Sequence, residues 1–344
     1  MKAVRIHKHG SVDVLKWEEI ESLKCPDDKV KVKVKAAALN HLDIWIRKGF
    51  KGISLPLPLI MGSDGAGIIS EVGHDVTNWK IGDEVVIQPN TFCGTCTACK
   101  NGRENYCQSF GILGETENGT QANEIILHPR NIHFKSAHLS FEEAASMQLV
   151  FITAYQMLVR RAKLEACENI LVYGATSGVG SAAIQIGKYL NANVITTVGS
   201  NDKFHHAEKM GADYCVNHND SDWMKKIKNI TGGNGIDVVF EHVGSATWSS
   251  SLRLLARGGR IVTCGATTGP KVNLDLRHLF MKQQSILGST MSDISTFNKV
   301  MKLVDQKVFV PFIDKIFPFE NVKDAHSRIE DRRQFGKVVL SSIS

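Results

Sequence analysis

The segment Cys93-Gly-Thr-Cys96-Thr-Ala-Cys99, closed by Cys107, constrains what this chain can fold into more than any other feature. Four thiols at such short spacings, in a polar stretch turned by Gly94, Asn101 and Gly102, can close a tetrahedral sulfur shell around one zinc. With every position filled by protein, no site stays open to water or substrate. The metal would then be structural, cross-linking a lobe too polar to fold by its own burial. Disulfides and a redox Cys-x-x-Cys pair are the competing readings; the regular spacing and intracellular character of the chain favour zinc. Cys25, Cys167, Cys215 and Cys264 are scattered, as small buried residues of a reducing compartment are.

At 344 residues the chain is long enough for two domains, each with its own core. The formal charge of +6 is spread along the sequence, which fits an anionic cofactor or substrate and does not call for nucleic acid. The alternation Lys29-Val-Lys31-Val-Lys33-Val-Lys35 reads as a half-buried strand, valines inward and lysines solvated, and not as a basic patch. The opening MKAVRIHKHG places charges where a signal peptide needs an apolar core. No apolar run approaches the ~20 residues of a membrane span. A cytoplasmic protein with no membrane partner is expected.

Two textures divide the chain. Residues 1–150 hold short alternating segments broken by Gly, Pro and Asp, among them Val30–Ala36, Gly67–Val72, Glu84–Gln88 and Ala122–Leu127, as in a twisted antiparallel barrel. Residues 151–287 alternate apolar β-branched runs with amphipathic stretches, the pattern of a parallel sheet covered on both faces. The runs are Asn169–Tyr173, Val194–Val198, Tyr214–Asn217, Asp237–Glu241, Arg260–Cys264 and Ser285–Gly288. The helical stretches are Val179–Leu190, Lys203–Met210, Trp223–Ile230, Trp248–Leu255 and Leu276–Lys282. Six strands in this rhythm predict an α/β, doubly wound dinucleotide-binding domain. The tail, 288–344, has one helix, Ile294–Val304, followed by Pro-punctuated strands, and returns to the first domain.

The first run of the second domain leads into Gly174-Ala-Thr-Ser-Gly178-Val-Gly180 and a helix. Strand, glycine-rich turn and helix start offer backbone N–H groups and a positive dipole end to a pyrophosphate, with Ser177, Gly178, Val179 and Gly180 as the cofactor-facing residues. An NAD site places Asp or Glu at the end of the second strand; here Val198 stands there. Ser200 and Lys203 follow, and both can donate to a 2′-phosphate, so NADPH is expected over NADH.

These features together resemble the medium-chain dehydrogenase/reductase superfamily, which includes zinc alcohol dehydrogenases and quinone oxidoreductases. The resemblance spans nearly the whole chain: MKAVRIHKHG, Gly82-Asp-Glu-Val85, the four-cysteine lobe at 93–107, the Gly174–Gly180 loop, Thr231-Gly-Gly-Asn-Gly-Ile-Asp-Val-Val239 and Gly336-Lys-Val-Val339. It implies a GroES-like twisted β-barrel catalytic domain built from both ends of the chain, a Rossmann domain inserted between them, and an active site in the cleft. It further implies that Thr153 and the segment Cys264-Gly265-Ala266 lie beside the nicotinamide, that His218 lies against the adenosine phosphate, and that His41 touches cofactor phosphate or ribose.

The family pattern fails where it would hold a catalytic zinc. Asn40 occupies the position of the first Cys ligand, Ser63 that of the His, and Leu149 falls at the last. A makeshift set of His41, Asp43 and Asp64, without a thiolate, makes a poor zinc cage. The hydroxyl relay is missing too, with Leu42 and Trp45 at its positions. Hydride delivery to an already electrophilic carbon needs neither metal nor relay, since developing charge on a carbonyl oxygen can be met by hydrogen-bond donors. Asn40 is the expected polar contact, to substrate oxygen or nicotinamide ribose, unless it only caps or orders a loop; Asp43 is expected to orient a neighbour. The final proton donor is open between Tyr106, Tyr155 and water.

The reading is an NADPH-dependent reductase of a quinone, enone or enoyl thioester such as acryloyl-CoA, carrying one structural zinc. Two alternatives stay open: an alcohol or aldehyde dehydrogenase with an atypical metal site, and a non-catalytic NADPH-binding protein. Superfamily members pair sixth strands across a dimer, so Ser285–Met291 is expected to build a homodimer or homotetramer.

Overall fold

The central runs of residues 150–292 lack alternation because their strands are covered on both faces. Ile170, Leu171, Val172, Val238, Val239 and Phe240 are all fully buried. In a computed structural model that describes residues 1–49 and 55–342, these runs form a six-stranded, wholly parallel sheet. Its order is Tyr214–Asn217, Asn193–Val198, Asn169–Val172, Ile236–Glu241, Leu255–Thr263, Ser285–Gly288. In chain order that is 3-2-1-4-5-6, the doubly wound arrangement in which strand order reverses beside the first strand. Helices Gly178–Tyr189, Phe204–Lys209, Trp223–Ile230, Trp248–Leu254 and Leu276–Met281 connect the strands. The fifth strand starts at Leu255, before the expected Arg260, because Leu255 pairs with Ile236 and a register shift absorbs the residues between.

The chain divides into two units, Val150–Ser292 and a second formed by Met1–Leu149 with Asp293–Ser344. In the latter, the strand Val30–Ala38 is the hub of a mostly antiparallel sheet. It pairs with Asp64–Val72, Glu124–Leu127 and Lys337–Ser341. Val30, Val32 and Val34 enter a core with Ile69, Val85, Leu127 and Leu340, as the alternation requires. One lysine departs from expectation: Lys31 is only 6% exposed. Its cross-strand neighbour is Glu71, whose carboxylate takes the ammonium at 2.5 Å, so the stem lies along the sheet while the charge is met at its edge.

The tail also differs from the sequence expectation. After the helix Ile294–Asp305 comes a second helix, Val322–Glu330, where only strands were foreseen. Val322, Ala325, His326 and Ile329 are its buried stripe, and charged residues between them dilute the apolar signal. Among the described residues, no helix is long and apolar enough to cross a membrane.

His326 is fully buried, and among the described residues neither ring nitrogen has a hydrogen-bond partner. Burial, with the Arg47 guanidinium nearby, pushes its pKa down to about 3. Between about pH 6.5 and 3 the unfolded chain therefore takes up a proton that the folded one refuses, so stability falls as pH falls through that window. His326→Leu should remove up to about 1.4 kcal/mol of that loss per pH unit. Denaturant unfolding at pH 7 and pH 5 should show a smaller drop in the variant; equal drops would contradict the assignment.

Candidate functional site

The four-cysteine lobe follows from local turns. Gly94 and Gly102 take positive φ, of 77° and 64°, which bends the chain back on itself twice. The four sulfurs converge within 4.8 Å of one another. Three of their separations are 3.9 Å (Cys93–Cys99), 3.5 Å (Cys96–Cys99) and 3.5 Å (Cys93–Cys107). Four sulfurs about 2.3 Å from a tetrahedral zinc stand about 3.8 Å apart, so the donor set fits. Backbone N–H groups of Thr95 and Cys96 point at the Cys93 sulfur and pull its pKa down to about 5, favouring the thiolate a metal needs.

A second polar cluster forms where three strands of the first unit end or begin. The register sets Ala38 opposite both Asp64 and Val339, which brings Asn40, Asp64 and Lys337 together. Asn40 is the cap of the helix His41–Lys48, and the Asp43 carboxylate reaches back to accept its N–H at 2.7 Å. The Asn40 side chain donates from Nδ2 to Asp64 Oδ2 at 2.9 Å, and its Oδ1 accepts from Lys337 Nζ at 2.6 Å. Lys337 also donates to Asp64 Oδ2 at 2.9 Å, and the Leu149 N–H serves Asp64 Oδ1 at 2.8 Å. Asn40, Asp43, Asp64 and Lys337 are all buried. Burial pushes Asp43 up to about 7, against the Asn40 N–H and the Lys337 ammonium, which pull it down.

These residues do not fit a catalytic metal. Of the three inherited ligand positions, Leu149 presents an N–H, Ser63 is a buried hydroxyl, and Asn40 is held by Asp64 and Lys337. Both oxygens of Asp64 already accept hydrogen bonds, Oδ2 from Lys337 and Asn40 and Oδ1 from the Leu149 N–H, and Lys337 already supplies the compensating positive charge. The makeshift set of His41, Asp43 and Asp64 is not assembled: among the described residues, the four cysteines are the group able to ligate an ion. His41 instead packs edge-on against Trp45, ring centroids 5.0 Å apart.

In the second unit the glycine turn is built to let a ligand approach. Gly174 has φ of 66°, and Ser177 caps the helix Gly178–Tyr189 by accepting the Gly180 N–H at 3.0 Å. A Cβ on Gly180 would fall 2.3 Å from the Gly174 oxygen, so only glycine allows this strand–helix approach. Helix geometry leaves the N–H groups of Gly178 and Val179 without intrahelical partners, an anion cradle of the kind a pyrophosphate occupies. At the end of the second strand Val198 is buried, and the N–H of His218 donates to its carbonyl at 3.0 Å. The His218 ring lies 3.6 Å from where a Gly199 side chain would begin, and the Lys203 N–H closes a turn on the Ser200 carbonyl. Val198, Ser200, Lys203 and His218 thus cluster around the ends of two adjacent strands.

Thr153 lies in the helix Gln148–Tyr155, buried, its hydroxyl 3.8 Å from the Met291 sulfur. Cys264, Gly265 and Ala266 follow the fifth strand, and the Cys264 N–H donates to the Glu241 carbonyl. Burial pushes the Cys264 thiol up to about 12, so it is no nucleophile.

Sequence reasoning passed over Glu241 and His242, at the carboxyl end of the fourth strand. The Glu241 carboxylate, fully buried, accepts from Val243 and Gly244 N–H and from the Thr247 and Ser251 hydroxyls, all within 3.0 Å. It therefore holds the turn beside the glycine loop. His242 Nε2 donates to the Tyr173 carbonyl at 2.9 Å, leaving Nδ1 as an acceptor, and burial keeps the ring neutral by lowering its pKa. Position alone, at a strand's carboxyl end in such a sheet, could have flagged both. Lys337 stood in the closing Gly336-Lys-Val-Val339, with nothing local to mark its partners Asn40 and Asp64.

Comparison with known proteins agrees with this architecture. A family model described as zinc-binding dehydrogenase matches residues 178–306, and one described as alcohol dehydrogenase GroES-like domain matches residues 26–136. A zinc-type alcohol dehydrogenase-like protein of Schizosaccharomyces pombe is 33% identical over 98% of this chain and 99% of its own length. The crotonyl-CoA carboxylase/reductase of Cereibacter sphaeroides is 32% identical over 95% of this chain and 83% of its own. A crystal structure described as an NAD-dependent alcohol dehydrogenase superposes with a TM-score of 0.96 at 41% identity, over 99% of this chain and 100% of that one.

Asp43 gives the cluster a titration signature. Its folded pKa of about 7 lies above the ordinary 3.8, so the stability it contributes is fully present below about pH 3.8 and is lost as pH rises toward 7. Asp43→Asn, which cannot ionise, should lose less stability than the parent between pH 5 and pH 8, by up to about 1.4 kcal/mol per pH unit within the window. Parallel pH–stability curves for the two proteins would contradict it.

Proposed function

This chain belongs to the medium-chain dehydrogenase/reductase superfamily and is an NAD(P)H-dependent oxidoreductase with a GroES-like and a Rossmann domain; from that footing we propose that it uses NADPH to reduce an activated double bond or a quinone without a catalytic metal. One observation carries the proposal. At the positions where the family resemblance would put the catalytic-zinc ligands stand Asn40, Ser63 and Leu149, and both oxygens of the carboxylate beside them are engaged by Lys337, Asn40 and a backbone N–H. Without a Lewis acid, alcohol oxidation loses its usual way of acidifying the hydroxyl. An enone, quinone or enoyl thioester needs only a donor for the oxygen that gains charge.

Bound NADPH supplies the hydride. The chain does the rest. Gly178, Val179 and Gly180 receive the pyrophosphate at the helix start, and Ser200 and Lys203 hold the 2′-phosphate, with His218 beside them. The Asn40 amide donates to the substrate oxygen, and a proton from water completes the reduction. Thr153 and the Cys264–Ala266 backbone line the nicotinamide. Cys93, Cys96, Cys99 and Cys107 hold one structural zinc.

The name of the Cereibacter relative supports an enoyl thioester as substrate class, and the net charge of +6 favours the CoA phosphates. The alternative, alcohol dehydrogenation, draws on the name of the crystal structure at 41% identity. Against it stand the missing ligands and the loss of the relay at Leu42 and Trp45. The edge strand Ser285–Gly288, with Leu276, Phe280 and Met281 exposed nearby, supports a homodimer built on that edge.

The purified protein should consume NADPH with at least one of a quinone, an enone and an enoyl-CoA, and should not reduce NADP⁺ or NAD⁺ with primary or secondary alcohols. Lys203→Ala should lower kcat/KM for NADPH by about 10-fold or more and leave NADH unchanged, as loss of a charge-assisted hydrogen bond predicts. Alcohol-dependent activity with no reductase activity would overturn the proposal; an equal loss with both cofactors would remove the 2′-phosphate assignment.

A further inference from the structure

The amide of Asn40 has its oxygen and nitrogen in a fixed order. Oδ1 faces the Lys337 ammonium at 2.6 Å and Nδ2 faces the Asp64 carboxylate at 2.9 Å. Turned over, the amide would set NH2 against NH3⁺ and a carbonyl against a carboxylate, two repulsive contacts in a place nearly closed to water. Lys337 and Asp64 also bond to each other, so neither can swing away without leaving a buried charge unpaired.

We propose that Lys337 and Asp64 are positioning residues that lock the Asn40 amide, its oxygen held on the ammonium, so that this position offers an N–H to a bound ligand. The proposal rests on the reading that Asn40 meets substrate, and it narrows that reading. An amide nitrogen has two hydrogens; Asp64 takes one, and the other is left for a ligand. The cation on Oδ1 draws electron density from the amide and strengthens the remaining donor. The ligand atom must then be an acceptor: the carbonyl oxygen of a ketone, quinone or thioester. A metal ion, which needs the amide oxygen, would have to sit against the Lys337 ammonium already bonded there. The ion pair is neutral as a unit, so it adds no net charge that would hold a ground-state anion, while a carbonyl gaining negative charge during hydride transfer is favoured.

The lock can be tested without catalysis. In protein labelled with [¹⁵N]asparagine, the Asn40 side-chain signals are identified by their loss in Asn40→Ser. The expected result is two well-separated amide protons that exchange with water on the order of 10-fold or more slowly than those of exposed asparagines. Lys337→Met should speed that exchange, and Lys337→Arg should largely restore it. Because Lys337→Met leaves Asp64 unpaired and is at risk of not folding, the double variant Asp64→Asn/Lys337→Met, with both charges gone, repeats the test. Averaged or rapidly exchanging Asn40 protons in the parent protein, or signals indifferent to loss of both charges, would overturn the lock. Adding cyclohexanone with NADP⁺ should shift one of the two protons. A slow, charge-dependent amide in a protein that reduces no enone, quinone or enoyl-CoA would sustain the lock and remove the substrate reading instead.

Discussion

The Lys337 ammonium meets the Asp64 carboxylate 2.9 Å away, where both side chains have lost almost all contact with water. Desolvating two such charges costs several kcal/mol each, and their attraction offsets that cost only when the remaining donors and acceptors are also matched. Here they are matched by Asn40 on one oxygen and by the Leu149 N–H on the other. The strands ending near Asn40, starting at Asp64 and starting at Lys337 are thereby held in one register, across 273 positions of sequence. The orientation of the Asn40 amide depends on this pair, since its oxygen accepts from Lys337 and its nitrogen donates to Asp64.

The second unit solves a parallel problem differently. Among the described residues its buried carboxylate, Glu241, has no ammonium partner; backbone N–H groups and two hydroxyls satisfy it. Donors of this kind stabilise a carboxylate without adding an opposite charge, and they fix the turn that follows the strand. That turn packs beside Gly174, whose positive φ opens the phosphate cradle. On the proposed function, backbone groups would receive the cofactor and a polar side-chain network would hold the donor to substrate, as catalysis by placement and electrostatics requires.

What the sequence showed and what it hid follow from the range of the interactions. The four-cysteine lobe, the glycine turn and the six β-branched runs are local patterns, and the structure places them within a residue or two of where the spacing put them, save the early start of the fifth strand at Leu255. Lys337 was visible only as part of the closing Gly336-Lys-Val-Val339, because its partners, Asp64 and Asn40, lie far away in sequence. The alternation at Lys29–Lys35 gave the strand and its inward valines correctly but not the burial of Lys31, which depends on the neighbouring strand's Glu71. The helix Val322–Glu330 was masked by its charged face. Asn40 stood open between a substrate contact and a loop-ordering residue; the geometry makes it a helix cap that is also held from both ends of its amide.

The central claim is that the protein keeps a structural metal and has replaced a catalytic one with its own lysine. Zinc per chain, measured by plasma mass spectrometry on protein purified without added metal and freed of loosely bound ions, tests it most directly. The account predicts one zinc, lost together in Cys93→Ser and Cys107→Ser variants and unaffected by Asp64→Asn. Two zincs per chain would contradict the replacement by Lys337, and a value near zero would contradict the assignment of the four cysteines.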